Sequence, residues 1–247
     1  FALDFWIYSD YIRPKIKGKC PVDAEIIQAK SNENPYFPAH EFERKRLSMD
    51  PRRFNMIYGG EFHKIEGLVY DCFDQDSHCV PWKELDPKTV YVAGVDWGFT
   101  NPSVISVLGV TPKDGVFLVH EFYKTGQTIN DLVETAKKLK IVFNIERFYC
   151  DPSSPHNISE FNKHKLTAIG ADNDIRPGID AFYELIRNGK FHIFENKCPH
   201  FLDEVSIYHY PAPNDIGSDK DVKEQMPVKQ HDHTLDAIRY PIYALSK

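Results

Sequence analysis

The sequence predicts an α/β domain in which an antiparallel meander of three strands is followed by βα units and a terminal helix. Three short apolar runs, at residues 89–95, 103–110 and 116–123, lie close together and are separated by polar turn residues. Beyond them, helical spacing of apolar residues alternates with further short apolar runs. The first pattern is typical of strands joined by tight turns, and the second is typical of βα units.

The meander is the best-defined part of the pattern. Residues 89–95 (TVYVAGV) predict a buried strand that ends at Asp96. The turn 112–115 (PKDG) predicts a hairpin between the strands at 103–110 and 116–123. An earlier apolar run at 67–73 predicts one more strand.

The second half of the chain predicts helices between short strands. A first helix is indicated by apolar residues at helical spacing from Ile129 to Leu139, with Thr128 as its N-cap. Further elements are predicted as helices at 157–165, 179–186, 201–205 and 232–245, and as strands at 147–150 and 191–194. We expect Leu245 to share the packing face of the last helix, and Pro241 to kink that helix or end it early. Residues 211–230 predict a long polar loop.

Residues 1–55 differ from the rest of the chain. They are rich in Lys, Arg and Pro, and only residues 39–47 fit a short helix. We therefore expect residues 1–55 to be the end of a preceding domain with a connector, and residues 56–247 to form the α/β domain. The absence of an initial Met favours a piece of a longer polypeptide.

Composition excludes several classes of protein. The net charge of −6, from 30 Lys and Arg against 36 Asp and Glu, argues against a surface coated with basic residues but leaves room for a local basic groove. No run approaches ~18 consecutive apolar residues, and the N-terminus lacks the order of a signal peptide. Five cysteines without a C-x-x-C pair favour reduced thiols in a cytosolic protein.

Acidic residues stand where an enzyme could use them. Asp96 and Asp151 each follow a predicted strand, and Asp232, His233 and Asp236 begin the last helix. At ~100° per residue, Asp232 and Asp236 lie about 40° apart on one helix face. Such carboxylates suit Mg²⁺ or Mn²⁺, and two ions ~3.5–4 Å apart can cleave a phosphodiester.

Structural roles are the alternative for each acid taken alone. A single Asp at a strand end is commonly a turn residue, and Asp232 could be an N-cap. Asp236 could pair with Arg239 or Lys247 on a solvated face.

Three acid motifs in order resemble those of the C-terminal nuclease domain of the large terminase subunit of tailed bacteriophages, a domain that resembles ribonuclease H. The motifs are VDWGFTNP at 95–102, YCDP at 149–152 and DHTLDAIRY at 232–240. Looser matches lie upstream, in NPY at 34–36, GGEF at 59–62 and EGLVY at 66–70. The resemblance implies a ribonuclease H-like mixed sheet flanked by helices, preceded by the end of a motor domain.

The same resemblance implies a two-metal endonuclease that cuts concatemeric double-stranded viral DNA during packaging. Asp96 and Asp151 match the first two metal-binding acids of the family. The third ligand stays open: Asp232 or His233 is expected to bind directly, and Asp236 to bind directly or through water.

Partners and location follow from the resemblance as well. They are double-stranded DNA, the motor domain of the same polypeptide, the portal protein and the small terminase subunit, in the host cytoplasm and without a membrane. The chain has no G-x-x-x-x-G-K-[ST] loop, so ATP hydrolysis is not expected from it.

DNA contacts are expected to be made to the phosphate backbone. The candidate phosphate partners are Lys163, Lys165, Lys190, Lys220, Lys223 and Lys229. Trp97, Phe99 and Tyr149 flank the acids, and we expect them to pack rather than to stack on bases.

Other functions remain open from the sequence. Residues 94–101 also resemble the first phosphate loop of actin-like ATPases, although residues 150–153 lack the glycines of a second loop. A junction resolvase or transposase core would share the fold and the acids. A non-catalytic module that docks on the portal would not need to bind metal.

Overall fold

A computed structural model describes residues 29–48, 58–59, 67–211 and 226–247 of the chain. The chain divides into two compact units, residues 1–66 and residues 67–247. No helix within the described ranges has the length and apolar character needed to cross a membrane. The predicted domain boundary at 55/56 falls outside the described residues and stays a prediction.

The first unit contains a short 3₁₀ helix and one α-helix among its described residues. The 3₁₀ helix is Ser31–Glu33, and helix α1 is Ala39–Ser48, where the sequence predicts a helix. The Phe37 ring packs against Phe42 and Tyr58, with centroids 6.4 and 5.9 Å away.

The second unit contains a mixed sheet with helices on both faces. Its strands are β1 (Cys79–Val80), β2 (Val90–Asp96), β3 (Ser103–Thr111), β4 (Gly115–Lys124), β5 (Arg147–Cys150), β6 (Ala168–Gly170) and β7 (Phe191–Phe194). Its helices are α2 (Gln75–His78), α3 (Ile129–Phe143), α4 (Pro155–Lys163), α5 (Ile175–Arg187), α6 (Pro199–Ile207) and α7 (His233–Leu245). The α/β prediction is confirmed.

The sheet has the order β1-β7-β4-β3-β2-β5-β6. Strands β2, β3 and β4 form the predicted antiparallel meander. The remaining pairs, β2 with β5, β5 with β6, β4 with β7 and β1 with β7, are parallel. As a result, β2 and β5 end side by side at one edge of the sheet.

Alternation along β2 assigns its side chains to two cores. Ala93 and Val95 belong to the core that includes α3 and α4. Val92 belongs to the other core, with residues of α5, α6 and α7. Because side chains alternate along a strand, Asp96 is on the same face as Val92, which is the face covered by α7.

Helix α7 packs against β2 more closely than any side chain would permit. A Cβ on Gly94 would lie 1.6 Å from the Ala237 carbonyl oxygen and 2.9 Å from Pro241 Cδ. Pro241 has no N–H to donate to the Ala237 carbonyl, which instead faces Gly94. The helix nevertheless continues to Leu245, so the expected early end is wrong, because packing on the strand supports the helix through the proline.

Other predictions need correction. Residues 67–73 form turns, with one isolated bridge from Leu68 to His209, although Leu68, Val69 and Tyr70 are buried as their apolar character demands. The sequence pattern missed α2, β1 and β6, which are too short to show a period. Leu245 is 48% exposed instead of packed. Among the described cysteines, Cys150 and Cys198 are buried free thiols.

Candidate metal centre

The carboxyl ends of two adjacent parallel strands bring Asp96 and Asp151 together. Asp96 is the last residue of β2, and Asp151 directly follows β5. Val95 lies opposite Cys150 in the register, and the Asp151 N–H donates to the Val95 carbonyl at 2.9 Å. Both acids therefore lie at the same edge of the sheet, each at the end of a strand as the sequence pattern predicts.

Asp96 is joined to the first residue of α7. His233 Nδ1 lies 2.9 Å from Asp96 Oδ2, and Asp96 is only 8% exposed. Burial raises the pKa of Asp96 to about 6, and the negative charges of Asp236 and Asp151 act in the same direction, whereas the His233 hydrogen bond opposes them. The same hydrogen bond raises the pKa of His233. Asp96, Asp151 and the start of α7 thus share one electrostatic environment.

Asp236 is held by an arginine one turn further along α7. Arg239 Nε and Nη2 donate to Asp236 Oδ1 at 3.2 and 2.9 Å. The sequence offered this pair as a structural alternative on a solvated face, but the structure buries Arg239. Lys247, the other suggested partner, pairs with Asp172 instead, at 2.6 Å.

Asp232 occupies the N-cap position of α7 without capping it through its side chain. It is buried, and burial raises its pKa, with Asp236 adding to the effect. The cap comes instead from Glu204 on α6, whose Oε2 accepts hydrogen bonds from the Thr234 and Leu235 N–H groups at 2.7 and 3.3 Å. The structural alternative offered from the sequence is therefore right about the N-cap position of Asp232, but the Asp232 side chain makes no cap hydrogen bond.

Glu204 is a residue that the sequence analysis missed. The available signal was its spacing, because Glu204 follows Phe201 by three positions and so falls on the apolar face of its helix. A charged residue on such a face usually has a specific buried partner.

Asp151 is fixed by the residues that follow it. Ser153 donates to the carboxylate twice, from its N–H to Oδ1 at 2.9 Å and from its hydroxyl to Oδ2 at 2.5 Å. Trp97 Nε1 donates to the Asp151 carbonyl at 2.8 Å. These bonds hold the acid at the end of β5.

The three aromatic residues near the acids have different environments. Trp97 packs edge-on against Phe161 and Tyr149 is buried, as predicted. Phe99 is 63% exposed, so its predicted packing role is wrong. Its backbone is held in place, since the Phe99 carbonyl accepts from the Gly126 N–H at 2.7 Å, and the ring points away from the core.

Carboxylate oxygens dominate the chemistry of this edge. Among residues 29–48, 58–59, 67–211 and 226–247, no three His, Cys, Asp or Glu side chains already form a ligand set for a metal ion. The donors present, Asp96, Asp151 and Asp236, are nevertheless the hard oxygen ligands that Mg²⁺ and Mn²⁺ prefer. Burial is the main cause of the raised pKa of Asp96, and the negative charges of Asp236 and Asp151 add to it. A bound cation relieves both the burial of the charge and this repulsion. In donor chemistry, the residues fit a hard divalent cation.

The candidate DNA-binding lysines do not all lie near the acids. Lys229 is close enough to Asp232 to lower its pKa. Lys163 ends α4, the crossover that returns the chain from Asp151 to the start of β6, and Lys165 follows it. Lys190 lies beside the hairpin turn at the other end of the sheet, where its carbonyl accepts from the Val116 N–H. Lys220 and Lys223 lie outside the described residues.

Comparison with known proteins gives one family. The model of the Terminase RNaseH-like domain matches residues 93–245. The large terminase subunit of Escherichia phage T5 is 20% identical over 223 residues, which cover 87% of this chain and 50% of that protein. The chain thus spans about half the length of this curated relative.

Solved structures share the fold. A large terminase from a thermophilic bacteriophage superposes with a TM-score of 0.64 at 22% identity, over 98% of this chain and 60% of that one. The large terminase nuclease of another thermophilic phage, G20c, solved with bound magnesium, gives 0.54 at 16% identity, over 73% of this chain and 98% of that one. These similarities of fold, together with the family match, confirm the predicted ribonuclease H-like fold.

Proposed function

Because this chain belongs to the Terminase RNaseH-like domain family, we propose that it is a divalent-metal-dependent endonuclease that cuts double-stranded viral DNA during genome packaging. The observation that carries this function is the meeting of Asp96, Asp151 and the start of α7 at one edge of the sheet. The bound magnesium of the G20c nuclease, a relative by fold, supports the choice of metal.

We assign the metal ligands as follows. Asp96 and Asp151 would hold the cation from the strand ends, and Asp232, His233 and Asp236, at the start of α7, are the candidates for the remaining ligand positions. Asp96 contacts His233 of α7 and ends the strand beside Asp151, so it would be a ligand of the bound cation. When bound, the two ions supply an activated water and stabilise the leaving oxygen.

The protein's own residues prepare this site. Ser153 fixes both oxygens of Asp151, and His233 holds Asp96 through one oxygen. Glu204 caps α7 and so frees the Asp232 side chain from that task. Asp151 and Asp96 are therefore oriented by hydrogen bonds within the protein.

We propose that the protein holds DNA at the site through contacts to the phosphate backbone of the duplex. Lys229 lies shortly before α7, and we propose that it contacts a phosphate. Lys220 and Lys223 remain predicted phosphate partners in the segment that precedes it. The other predicted phosphate partners are Lys163, Lys165 and Lys190. Phe99 follows Asp96 by three residues and is 63% exposed, so we propose that its ring contacts the duplex.

The role of the whole polypeptide is proposed from the family. Residues 1–55 would join this nuclease to a motor domain of the same polypeptide. The nuclease would cut concatemeric DNA during packaging. The portal protein and the small terminase subunit would be partners of the whole polypeptide in the host cytoplasm. The family match over residues 93–245 spans all three acid motifs and does not favour an actin-like ATPase.

A plasmid-cleavage assay tests the nuclease. Wild type should relax and linearise supercoiled plasmid in Mn²⁺ or Mg²⁺ and not in EDTA. Asp96→Asn should lower the rate by about 100-fold or more, because the site loses a charge where the reaction needs it.

The matched control is Asp114→Asn. Asp114 is an exposed acid in the β3–β4 turn, at the opposite end of the meander from Asp96, and pairs only loosely with Lys83 at 3.4 Å. It should cleave like the wild type. Equal cleavage by Asp96→Asn and wild type would remove the acids from the reaction, and no cleavage by wild type would favour a docking module.

A further inference from the structure

We propose that Arg239 is a positioning residue of the metal centre, which fixes the Asp236 carboxylate so that one of its oxygens is kept for the cation. This role rests on the proposed function. It concerns a residue that touches neither metal nor DNA and acts through Asp236 alone.

The first observation is the way the two side chains meet. Both Arg239 donors that reach Asp236, Nε and Nη2, bond to the same oxygen, Oδ1. Arginine commonly pairs with a carboxylate through both oxygens. Here Oδ2 receives no side-chain or backbone hydrogen bond within the described part of the chain. Burial raises the pKa of both Asp96 and Asp232, and the negative charge of Asp236 adds to the effect on each.

The second observation is that Arg239 is itself immobilised. Its side chain is 3% exposed, and Nη1 donates to the Asn173 and Asp174 carbonyls, each at 3.1 Å. These carbonyls precede helix α5, so the guanidinium is anchored on a different element from Asp236. A fixed fork of this kind loses little side-chain entropy when it holds a carboxylate.

The third observation is the room made for the arginine stem. A Cβ on Gly178 of α5 would lie 2.7 Å from Arg239 Cγ and 2.9 Å from Cδ. Alanine is the better helix former, so a glycine in this helix serves the close approach of Arg239 rather than the stability of the helix. The stem and the guanidinium are thus both held in place by α5.

A purely structural clamp between α5 and α7 is the competing role for Arg239. Such a clamp affects the free energy of unfolding and leaves metal affinity alone. A positioning residue affects metal affinity, and only while Asp236 is present to transmit the effect. Metal binding in the absence of DNA therefore separates the two roles without reference to activity.

The experiment is calorimetric titration of Mn²⁺ into wild type, Arg239→Lys, Asp236→Asn and the double variant, with thermal unfolding of each. Arg239→Lys keeps the charge and loses the fork. We expect its Mn²⁺ affinity to fall about 10-fold, the range of ligand-orienting residues. In the Asp236→Asn background the same change should have no further effect.

Lys247→Gln is the matched control. It breaks the ion pair that Lys247, two residues beyond the end of α7, makes with Asp172 at 2.6 Å, and it does not touch Asp236. Its Mn²⁺ affinity should equal that of wild type. Gly178→Ala is the second route should Arg239→Lys not fold, because the added methyl group displaces the arginine stem, and it should also weaken Mn²⁺ binding.

Two results would overturn the role of Arg239: unchanged Mn²⁺ affinity in folded Arg239→Lys and Gly178→Ala, or an equal loss with and without Asp236. Failure of the proposed function is distinct. Wild type that binds no Mn²⁺, or Asp96→Asn that binds it as wild type does, would reject the metal centre and the role of Arg239 together.

Discussion

Helices α3 and α7 begin in different ways. At α3, Thr128 Oγ1 accepts from the Asp131 N–H at 3.3 Å, and Asp131 Oδ2 accepts from the Thr128 N–H at 2.9 Å, so neighbouring residues cap each other. At α7, the cap is Glu204, a buried residue of another helix. One helix start is self-contained, and the other depends on the tertiary structure.

The difference has a functional meaning. A side chain that caps a helix is held against the backbone N–H groups, which limits the directions in which it can bind a ligand. At α3 no second role is proposed for the capping side chains. At α7, Glu204 supplies the cap, so Asp232 and His233 are not consumed by capping. Glu121 of β4 in turn caps α6 through the His200 and Phe201 N–H groups, at 2.7 and 3.0 Å. A chain of buried carboxylates therefore runs from the sheet to the proposed site.

The largest effect is expected from a substitution that disrupts the packing of α7 on β2. Gly94→Ala would place a methyl group within 1.6 Å of the Ala237 carbonyl oxygen, in backbone that cannot give way. We expect a loss of about 3 kcal/mol or more in the free energy of unfolding, measured by denaturant titration. Gly170→Ala, in β6 with only ordinary contacts at 3.6 and 3.7 Å, is the control and should stay within about 0.5 kcal/mol of wild type.

The next prediction compares the caps of α7 and α3 directly. Glu204→Ala leaves buried N–H groups of α7 without acceptors, which should cost about 1–3 kcal/mol and abolish plasmid cleavage by displacing His233. Thr128→Ala should cost about 1 kcal/mol and leave cleavage unchanged. Equal cleavage by the two variants would mean that the α7 cap has no bearing on the site.

The pH dependence of stability tests the carboxylate chain. Burial raises the pKa of Glu121 to about 7, against the opposing hydrogen bonds from His200 and Phe201. A raised folded-state pKa gives stability that is fully present below the unfolded value of about 4.5 and is lost as the pH rises through about 7. Unfolding free energy should therefore fall between pH 5 and about 7.5.

Glu121→Gln is the corresponding variant. Its absolute stability will differ because the amide replaces one acceptor with a donor, so the slope against pH is the informative quantity. We expect a shallower slope than in wild type. An unchanged slope would show that Glu121 does not titrate in this range.

The smallest effect concerns DNA affinity. Lys229→Ala, at the entry to α7, should weaken duplex binding a few-fold in EDTA and lower the salt slope by about 1. Lys137→Ala, on the exposed surface of α3, where it pairs with Glu134, is the control and should change neither. Identical salt slopes for the two variants would remove Lys229 from the DNA surface.

The sequence predicts the features that depend on local interactions, as at α3, and misses those that depend on contacts between distant segments, as at α7. Helix α3 and the β2–β4 meander were predictable because their caps, turns and periods are local. The position of Asp96 and of Asp151 at a strand end was predictable, whereas their shared edge depends on the parallel pairing of β2 with β5. Glu204, the fork of Arg239 and the survival of α7 beyond Pro241 depend on packing between distant segments. Phe99 lies on a loop whose direction no sequence period encodes.

The most direct test of the metal centre is a crystal structure grown with Mn²⁺, with anomalous scattering recorded at the manganese edge. We predict an anomalous peak bounded by Asp96 and Asp151, with a further ligand from Asp232, His233 or Asp236. A structure in which Mn²⁺ lies elsewhere, while Asp96 remains bonded only to His233, would contradict the proposed centre.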